Sequence, residues 1–182
     1  MSPAARPILI TGVAGFIGAA VAEHLLRRGD TVVGIDNFNS YYNPTLKRAR
    51  LQRLQLIHGA PERLACVELH LEDGDALAEL FAEQRPRAVV HLAAQAGVRY
   101  SIENPAVYIQ TNLVGFGHVL EGCRHHGVKH LVYASSSSVY GGNHNLPFKE
   151  QQPVNHPVSL YAATKKANEL MAHTYKIGRA HV

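Results

Sequence analysis

The chain has 182 residues, which is room for one domain with a hydrophobic core of its own. Hydrophobic residues make up 46% of the sequence and charged residues 18%, which excludes a disordered, collagen-like or coiled-coil chain. The net charge is +4. The two cysteines lie outside any CxxC motif, so we expect no disulfide framework and a cytoplasmic location. We also expect no membrane span.

Strands and helices are predicted to alternate along the chain, because short β-branched runs are separated by segments of helical periodicity. This alternation implies βαβ units and an α/β fold, a doubly wound parallel sheet of the Rossmann type. The predicted strands are 7–11, 31–35, 66–69, 87–93 and 130–134, and the predicted helices are 16–28, 44–57, 74–83, 105–126 and a last one from 159 onward.

The positive charge concentrates in the second predicted helix, where Lys47, Arg48, Arg50 and Arg53 follow one another closely. Leucines recur between them at helical spacing, so the arginines are predicted to lie on a solvated helix face. Nucleic-acid binding would require the charge to cluster with exposed aromatic residues, and we predict no nucleic-acid partner.

Three histidines, His125, His126 and His130, lie close together at the end of the fourth predicted helix. With no acidic or cysteine partner expected beside them, they are interpreted as a solvated helix end, and no metal site is predicted.

A glycine triplet, Gly12, Gly15 and Gly18, lies between the first predicted strand and helix. The first glycine permits the turn, the second lets a pyrophosphate approach the backbone, and the third lets helix and sheet pack closely. Asp36 ends the second strand, where a carboxylate accepts hydrogen bonds from the adenosine ribose and repels a 2′-phosphate. The pattern predicts a dinucleotide site that prefers NAD.

A second motif places Tyr161 and Lys165 four residues apart on one face of the last helix. Tyrosine ordinarily titrates near pH 10, so a nearby lysine cation is needed to stabilise its phenolate as a base. Ser136 follows the fifth strand, at the edge of the sheet where ligands bind, and its hydroxyl can bond a reacting oxygen. These three residues are the predicted catalytic set.

The sequence resembles the extended short-chain dehydrogenase/reductase family, and within it the nucleotide-sugar epimerases, above all the UDP-glucuronate 4-epimerases. The stretches that carry the resemblance are ITGVAGFIGAAVA (10–22), GIDNFNSYYNPTLKRARL (34–51), HLAAQAGVRYSIENP (91–105), TNLVGFGHVLE (111–121), YASSSSVYGGN (133–143) and YAATKKANE (161–169).

The resemblance implies an NAD-dependent 4-epimerase that converts UDP-glucuronate to UDP-galacturonate through a transient 4-keto sugar. Tyr161 would remove the proton of the 4-hydroxyl, Lys165 would hold the nicotinamide ribose, and Ser136 would bond the same sugar oxygen. Related dehydratases and decarboxylases carry an acidic residue beside this hydroxyl, whereas Ser135 to Ser138 are all serines, which favours epimerisation.

The resemblance also implies a wider set of site residues. Arg99 and Ser137, with Ser136, are predicted to bind the sugar nucleotide, although an exposed loop arginine is an equally simple interpretation of Arg99. The predicted cofactor-binding residues are Gly12, Gly15, Phe16, Ile17, Gly18, Asp36, Asn37, His70, Leu71, Ala93, Ala94, Gln95, Asn112, Tyr161 and Lys165.

His70 departs from the family pattern, which has an acidic residue there to accept from the adenine amino group. A neutral imidazole can accept the same hydrogen bond. The alternative is that Glu72 or Asp73 serves instead.

The C-terminal end departs from the pattern as well, since the similarity ends near Tyr175. Residues 177–182, IGRAHV, match one translated frame of a common sequencing adapter, so we predict a non-native tail. Residues 1–176 are predicted to be an NAD-binding domain that lacks its last strands and its substrate domain.

Two alternatives to the 4-epimerase interpretation stay open: another nucleotide-sugar dehydratase or decarboxylase, and a non-catalytic NAD-binding fragment. A homodimer through 105–126 and 159–175 is expected by analogy.

Overall fold

Five parallel strands form the sheet of the described chain, residues 6–175 of a computed structural model. Their order is β3-β2-β1-β4-β5, which confirms the predicted doubly wound Rossmann-type sheet. The strands are β1 (Ile8–Thr11), β2 (Val32–Asp36), β3 (Leu64–Glu68), β4 (Ala88–His91) and β5 (Leu131–Tyr133).

The chain reverses its direction across the sheet at β1. Ile8 pairs with Val32 of β2 on one side and with Ala88 of β4 on the other. Ligands of open α/β sheets bind beyond the carboxyl ends of the strands at such a reversal, so a site is expected beyond Thr11 and His91.

Helices pack on both faces of this sheet. The first helix spans the predicted residues and ends at Gly29, whose φ of 96° is the left-handed cap that favours glycine. No helix within residues 6–175 is long and apolar enough to cross a membrane. The helices are α1 (Phe16–Arg28), α2 (Pro44–Gln55), α3 (Gly74–Gln84), α4 (Tyr100–Glu103), α5 (Pro105–Tyr108), α6 (Gly115–His125) and α7 (Leu160–Tyr175).

The helix predicted over 105–126 is interrupted by a π-helical turn at Ile109–Val114. Asn168 of α7 donates its side-chain amide to the backbone carbonyl of Asn112 inside this turn, at 2.6 Å. This hydrogen bond gives a partner to a carbonyl of the π-helical turn. The hydrophobic periodicity of the sequence does not reveal the turn.

Two hydrophobic cores lie on opposite faces of the sheet. Ile8 and Ile10 of β1 point into the core beneath α1 and α2, while Leu9 points into the core beneath α3 and α6. All four residues of β1 are buried, as expected for the central strand of a parallel sheet. The predicted tail, 177–182, lies outside the described residues, and the predicted domain boundary at 176 stays a prediction.

The histidines at the end of α6 have an acidic neighbour that the sequence analysis did not expect. His125 Nε2 lies 3.1 Å from a carboxylate oxygen of Glu121, one helical turn earlier. The pair is exposed, and within residues 6–175 no three histidine, cysteine, aspartate or glutamate side chains come together as a metal site.

Candidate functional site

A cavity of about 310 Å³ opens beyond the carboxyl ends of β1, β2 and β4, where the strand order reverses. His70, Asn112, Tyr161 and Lys165 do not line it. The predicted cofactor-binding residues that do line it are Gly12, Gly15, Phe16, Ile17, Gly18, Asp36, Asn37, Leu71, Ala93, Ala94 and Gln95.

The glycine turn between β1 and α1 forms one wall of the cavity. Gly12 has a φ of 73°, and a Cβ at Gly18 would lie 2.0 Å from the Gly12 carbonyl oxygen. No side chain in the described chain caps the N terminus of α1, and its first turn carries no acidic residue. The free first-turn N–H groups and the helix dipole therefore favour negative charge at this end of α1.

Replacing Gly18 by alanine is expected to destabilise the protein by about 2–3 kcal/mol, because its Cβ would overlap backbone atoms that cannot move aside. The expected fall in Tm is about 4–12 °C in thermal unfolding followed by circular dichroism. Gly142→Ala is the matched control, since a Cβ there meets no atom within 4 Å. Equal Tm values for the two variants would contradict the prediction.

Asp36 lies at the end of β2 and is buried in the cavity wall. Its carboxylate accepts hydrogen bonds from the backbone N–H groups of Ala14, at 3.2 Å, and Phe38, at 2.9 Å. Lys47 of α2 donates to the same carboxylate at 3.1 Å. A carboxylate has about four acceptor positions, so one is left to face a ligand.

The far end of the cavity is lined by Leu69, Leu71, Glu72 and Thr111. Glu72 accepts from the Thr111 hydroxyl with one oxygen, and its other oxygen is shielded from solvent without a hydrogen-bond partner among the described residues. The side chain of His70 is 65% exposed and is not part of the wall, although its Nδ1 lies 3.9 Å from the second Glu72 oxygen and 3.5 Å from the lining residue Asn37. The geometry therefore favours Glu72, the alternative acceptor, over His70 at this end.

A buried pair, Thr11 and His91, fixes the backbone that follows β4. The Thr11 hydroxyl accepts from the N–H groups of Leu92 and Ala93, at 3.1 and 3.0 Å, so it donates its proton to His91 Nδ1 at 2.8 Å. Burial, and secondarily Lys165, lowers the pKa of His91 to about 3, which keeps the ring neutral. The pair thus holds Ala93 in the cavity wall.

Helix α7 carries the predicted catalytic pair. Lys165 is 4% exposed and donates its ammonium to the carbonyl of Ala134, at 2.9 Å. Burial lowers the pKa of Lys165 to about 8. Because Ala134 lines the cavity, this hydrogen bond brings the lysine to its edge. Tyr161 lies one turn earlier, with its ring edge-on to that of the buried Tyr108, at 6.2 Å between centroids.

Ser136 caps the 3₁₀ turn Ser137–Tyr140 that follows β5. Its hydroxyl accepts from the N–H of Ser138 at 3.2 Å and donates to the Ser138 hydroxyl at 3.1 Å. Ser137 is exposed, and Arg99 is exposed at the start of α4; the cavity wall includes none of these three residues. Their predicted roles toward a sugar stay predictions.

Asn112 holds the cavity wall from behind. Its side-chain oxygen accepts from the N–H of Gln95 at 2.8 Å, and its amide donates to the Gln95 carbonyl and to the Thr164 hydroxyl, both at 3.1 Å. All three residues are buried, so this fully satisfied network links α7 to the loop after β4.

Several lining residues do not follow from the sequence pattern, and Lys47 is the most informative. The pattern groups it with a solvated basic run, yet it is only 7% exposed, whereas Arg48 and Arg53 are exposed as predicted. Nothing in the spacing of the run distinguishes the lysine; only the packing of α2 beside Asp36 does. The other lining residues not predicted from the sequence are Ile35, Asn39, Tyr41, Tyr42, Leu69, Leu92, Ala96, Thr111 and Ala134.

The sheet order and the cavity at its reversal place the chain among Rossmann-type α/β proteins. Its sequence matches the family model described as GDP-mannose 4,6 dehydratase over residues 9–180, and the chain belongs to this family.

Curated relatives share about half of the chain's residues. The protein CapI of Staphylococcus aureus is 52% identical over 168 residues, which are 92% of this chain and 49% of CapI. The UDP-glucuronate 4-epimerase 4 of Arabidopsis thaliana is 49% identical over 169 residues, covering 92% of this chain and 38% of that protein.

Several solved structures have folds closely similar to that of this chain. The Bacillus cereus UDP-glucuronic acid 4-epimerase, in complex with UDP-glucuronic acid and NAD, has a TM-score of 0.80 and 33% identity, covering 93% of this chain and 52% of that one. The Thermus thermophilus UDP-glucose 4-epimerase, in complex with NAD, has a TM-score of 0.79 and 35% identity, covering 93% and 50%. The chain spans about half the length of the proteins it matches, or less.

Proposed function

We propose that residues 1–176 form the NAD-binding part of a nucleotide-sugar 4-epimerase, with UDP-glucuronate as the substrate. The observation that carries the proposal is the cavity at the strand reversal, which joins the glycine turn, Asp36 and the Lys165–Ala134 contact in one place. The relatives named as UDP-glucuronate 4-epimerases support the substrate, and the structures solved with NAD support the cofactor.

The residues present fit NAD. A side chain at Gly12 or Gly18 would fill the space of the turn, and the first-turn N–H groups of α1 are free to bind a pyrophosphate. Asp36 has an acceptor position left for a ribose hydroxyl. Glu72, which lines the far end, would be the acceptor for the adenine amino group.

When bound, NAD accepts a hydride from C4 of the sugar and returns it. Tyr161, as phenolate, would take the proton of the 4-hydroxyl as the C4–H bond breaks, and would give it back when the hydride returns to the opposite face of the 4-keto sugar. Lys165 would hold the nicotinamide ribose and stabilise the phenolate through its positive charge. Ser136 would hydrogen-bond the same sugar oxygen after its hydroxyl proton turns away from Ser138.

Epimerisation is favoured over dehydration, although the family is named for a dehydratase. Dehydration needs an acid or base beside the catalytic hydroxyl, and the chain has serines at 135–138. Ser136 is bonded to Ser138, another hydroxyl, and not to a carboxylate. A homodimer through α5, α6 and α7 stays a prediction.

The first test is calorimetry of NAD⁺ binding to the 182-residue chain, with thermal unfolding in its presence and absence. We expect saturable binding and a Tm that rises with ligand concentration, since a ligand of the folded state stabilises it. No binding together with a cooperative unfolding transition would overturn the cofactor assignment.

The second test concerns the reaction that the catalytic residues of this chain support. A chimera joins residues 1–175 to the C-terminal half of the Rhizobium meliloti relative, a probable UDP-glucuronate 4-epimerase that is 48% identical over 167 residues. NMR of the products is expected to show UDP-galacturonate from UDP-glucuronate, with UDP-glucose left unchanged. A dehydrated or decarboxylated product would favour the alternative enzyme classes. NAD⁺ binding by the 182-residue chain with no turnover by the chimera would favour a non-catalytic binding module.

A further inference from the structure

The contact between Asp36 and Lys47 places a positive charge beside the carboxylate that is expected to reject a 2′-phosphate. The Lys47 ammonium lies 3.1 Å from Asp36 Oδ1, and the two side chains are 9% and 5% exposed. Both residues line the cavity. At this point the wall of the cavity is close to neutral, so Asp36 alone cannot supply the repulsion that is usually credited to such a carboxylate.

Lys47 is held in place by Asp36 more than by its other neighbours. Its second acceptor, Asn39 Oδ1, lies 3.5 Å away, which is long for a hydrogen bond. An ammonium has three N–H donors, so at least one is left to face the cavity. The lysine is therefore a cation of the cavity wall whose charge is offset by a single carboxylate.

Arg50 adds to the positive charge of the same wall. Its guanidinium donates to the carbonyl of Ala14 at 3.2 Å, while the N–H of Ala14 is bonded to Asp36. Removing the charge of Asp36 would thus leave Lys47 and Arg50 together near the ribose position without a compensating carboxylate.

We propose that Lys47 is a second determinant of cofactor choice: its ion pair with Asp36 weakens the repulsion between the carboxylate and a 2′-phosphate, and loss of the carboxylate frees Lys47 to bind the 2′-phosphate of NADP. This inference rests on the proposed NAD site and deepens it. The choice between the two cofactors depends on the pair and not on Asp36 alone.

The test measures NAD⁺ and NADP⁺ affinities by calorimetry at fixed ionic strength for four forms of the 182-residue chain: wild type, Asp36→Asn, Lys47→Met and the double variant. Asp36→Asn is expected to shift the ratio of affinities toward NADP⁺ by about 10- to 100-fold, because a charge-assisted hydrogen bond to the 2′-phosphate is gained. Adding Lys47→Met to Asp36→Asn is expected to remove most of this shift.

Lys47→Met alone keeps both backbone hydrogen bonds of Asp36, so it tests the proposal even where Asp36→Asn does not fold. It is expected to lower NADP⁺ affinity about tenfold more than NAD⁺ affinity, since the carboxylate is then uncompensated. Arg53→Met is the matched control, because Arg53 lies exposed on the same helix and pairs with Glu23 outside the cavity wall.

An unchanged ratio in Lys47→Met, or a ratio in the double variant equal to that of Asp36→Asn, would overturn the role of Lys47 while leaving the NAD site intact. Wild type that fails to bind NAD⁺ at all would overturn the proposed cofactor, and this inference with it.

Discussion

Tyr161→Phe is expected to slow epimerisation at the sugar C4 atom about 100- to 10,000-fold in kcat, the range that a positioned general acid–base group contributes. The variant removes one oxygen atom from α7 and leaves the ring beside Tyr108 in place. NAD⁺ affinity and Tm are therefore expected to stay near those of wild type. The measurement is the initial rate of UDP-glucuronate conversion by the chimera, followed by NMR.

Tyr175→Phe is the matched control for this prediction. It makes the same change on the same helix, where the lost hydroxyl bonds Glu121 on α6 and not a residue of the cavity. Its kcat is expected to equal that of wild type. A fall of less than tenfold in Tyr161→Phe, with NAD⁺ still bound, would exclude Tyr161 as the proton acceptor.

The residues that local spacing could predict are those whose role follows from backbone geometry. Gly12 and Gly18 are needed where a strand turns into a helix, and the structure gives the turn a positive φ and a close backbone approach at those two positions. Asp36 ends β2 beside this turn, as expected. The roles of these residues depend on their neighbours in the sequence, so the sequence alone is enough to predict them.

Residues positioned by packing between distant elements could not be predicted. Lys47 is part of a basic, solvated pattern, and only its approach to Asp36 turns it inward. The π turn at Ile109–Val114 depends on the amide of Asn168, more than fifty positions later. The sequence offered His70 and Glu72 as alternatives for one contact, and the geometry that favours Glu72 includes its bond to Thr111.

Lys165→Met is expected to change stability and activity in opposite directions. Burial lowers the pKa of Lys165 from 10.5 to about 8, which corresponds to a cost of about 3 kcal/mol for keeping the ammonium charged in the folded protein. Methionine removes this cost and loses the hydrogen bond to Ala134, worth about 1 kcal/mol. The variant should gain about 2 kcal/mol, or about 4–8 °C in Tm at pH 7.

The stability that Lys165→Met gains over wild type is expected to depend on pH. Between pH 8 and 10.5 the unfolded chain binds more protons at Lys165 than the folded protein does, so wild-type stability rises with pH across this window. The advantage of Lys165→Met is thus full below pH 8 and disappears near pH 10.5. Thermal unfolding from pH 7 to 10.5 measures it. Lys166→Met, which changes the adjacent, partly exposed lysine of α7, is the matched control.

Activity should fall in the same variant that gains stability, because methionine can neither bond a nicotinamide ribose nor stabilise a phenolate. In the chimera we expect kcat to drop by about 100-fold or more. A buried cation that lowers stability and raises activity is a functional group retained at a cost to the fold. A Lys165→Met variant that loses stability, shows no pH dependence of its Tm difference and keeps the wild-type kcat would mean that the lysine serves the packing of α7 and not the chemistry of the site.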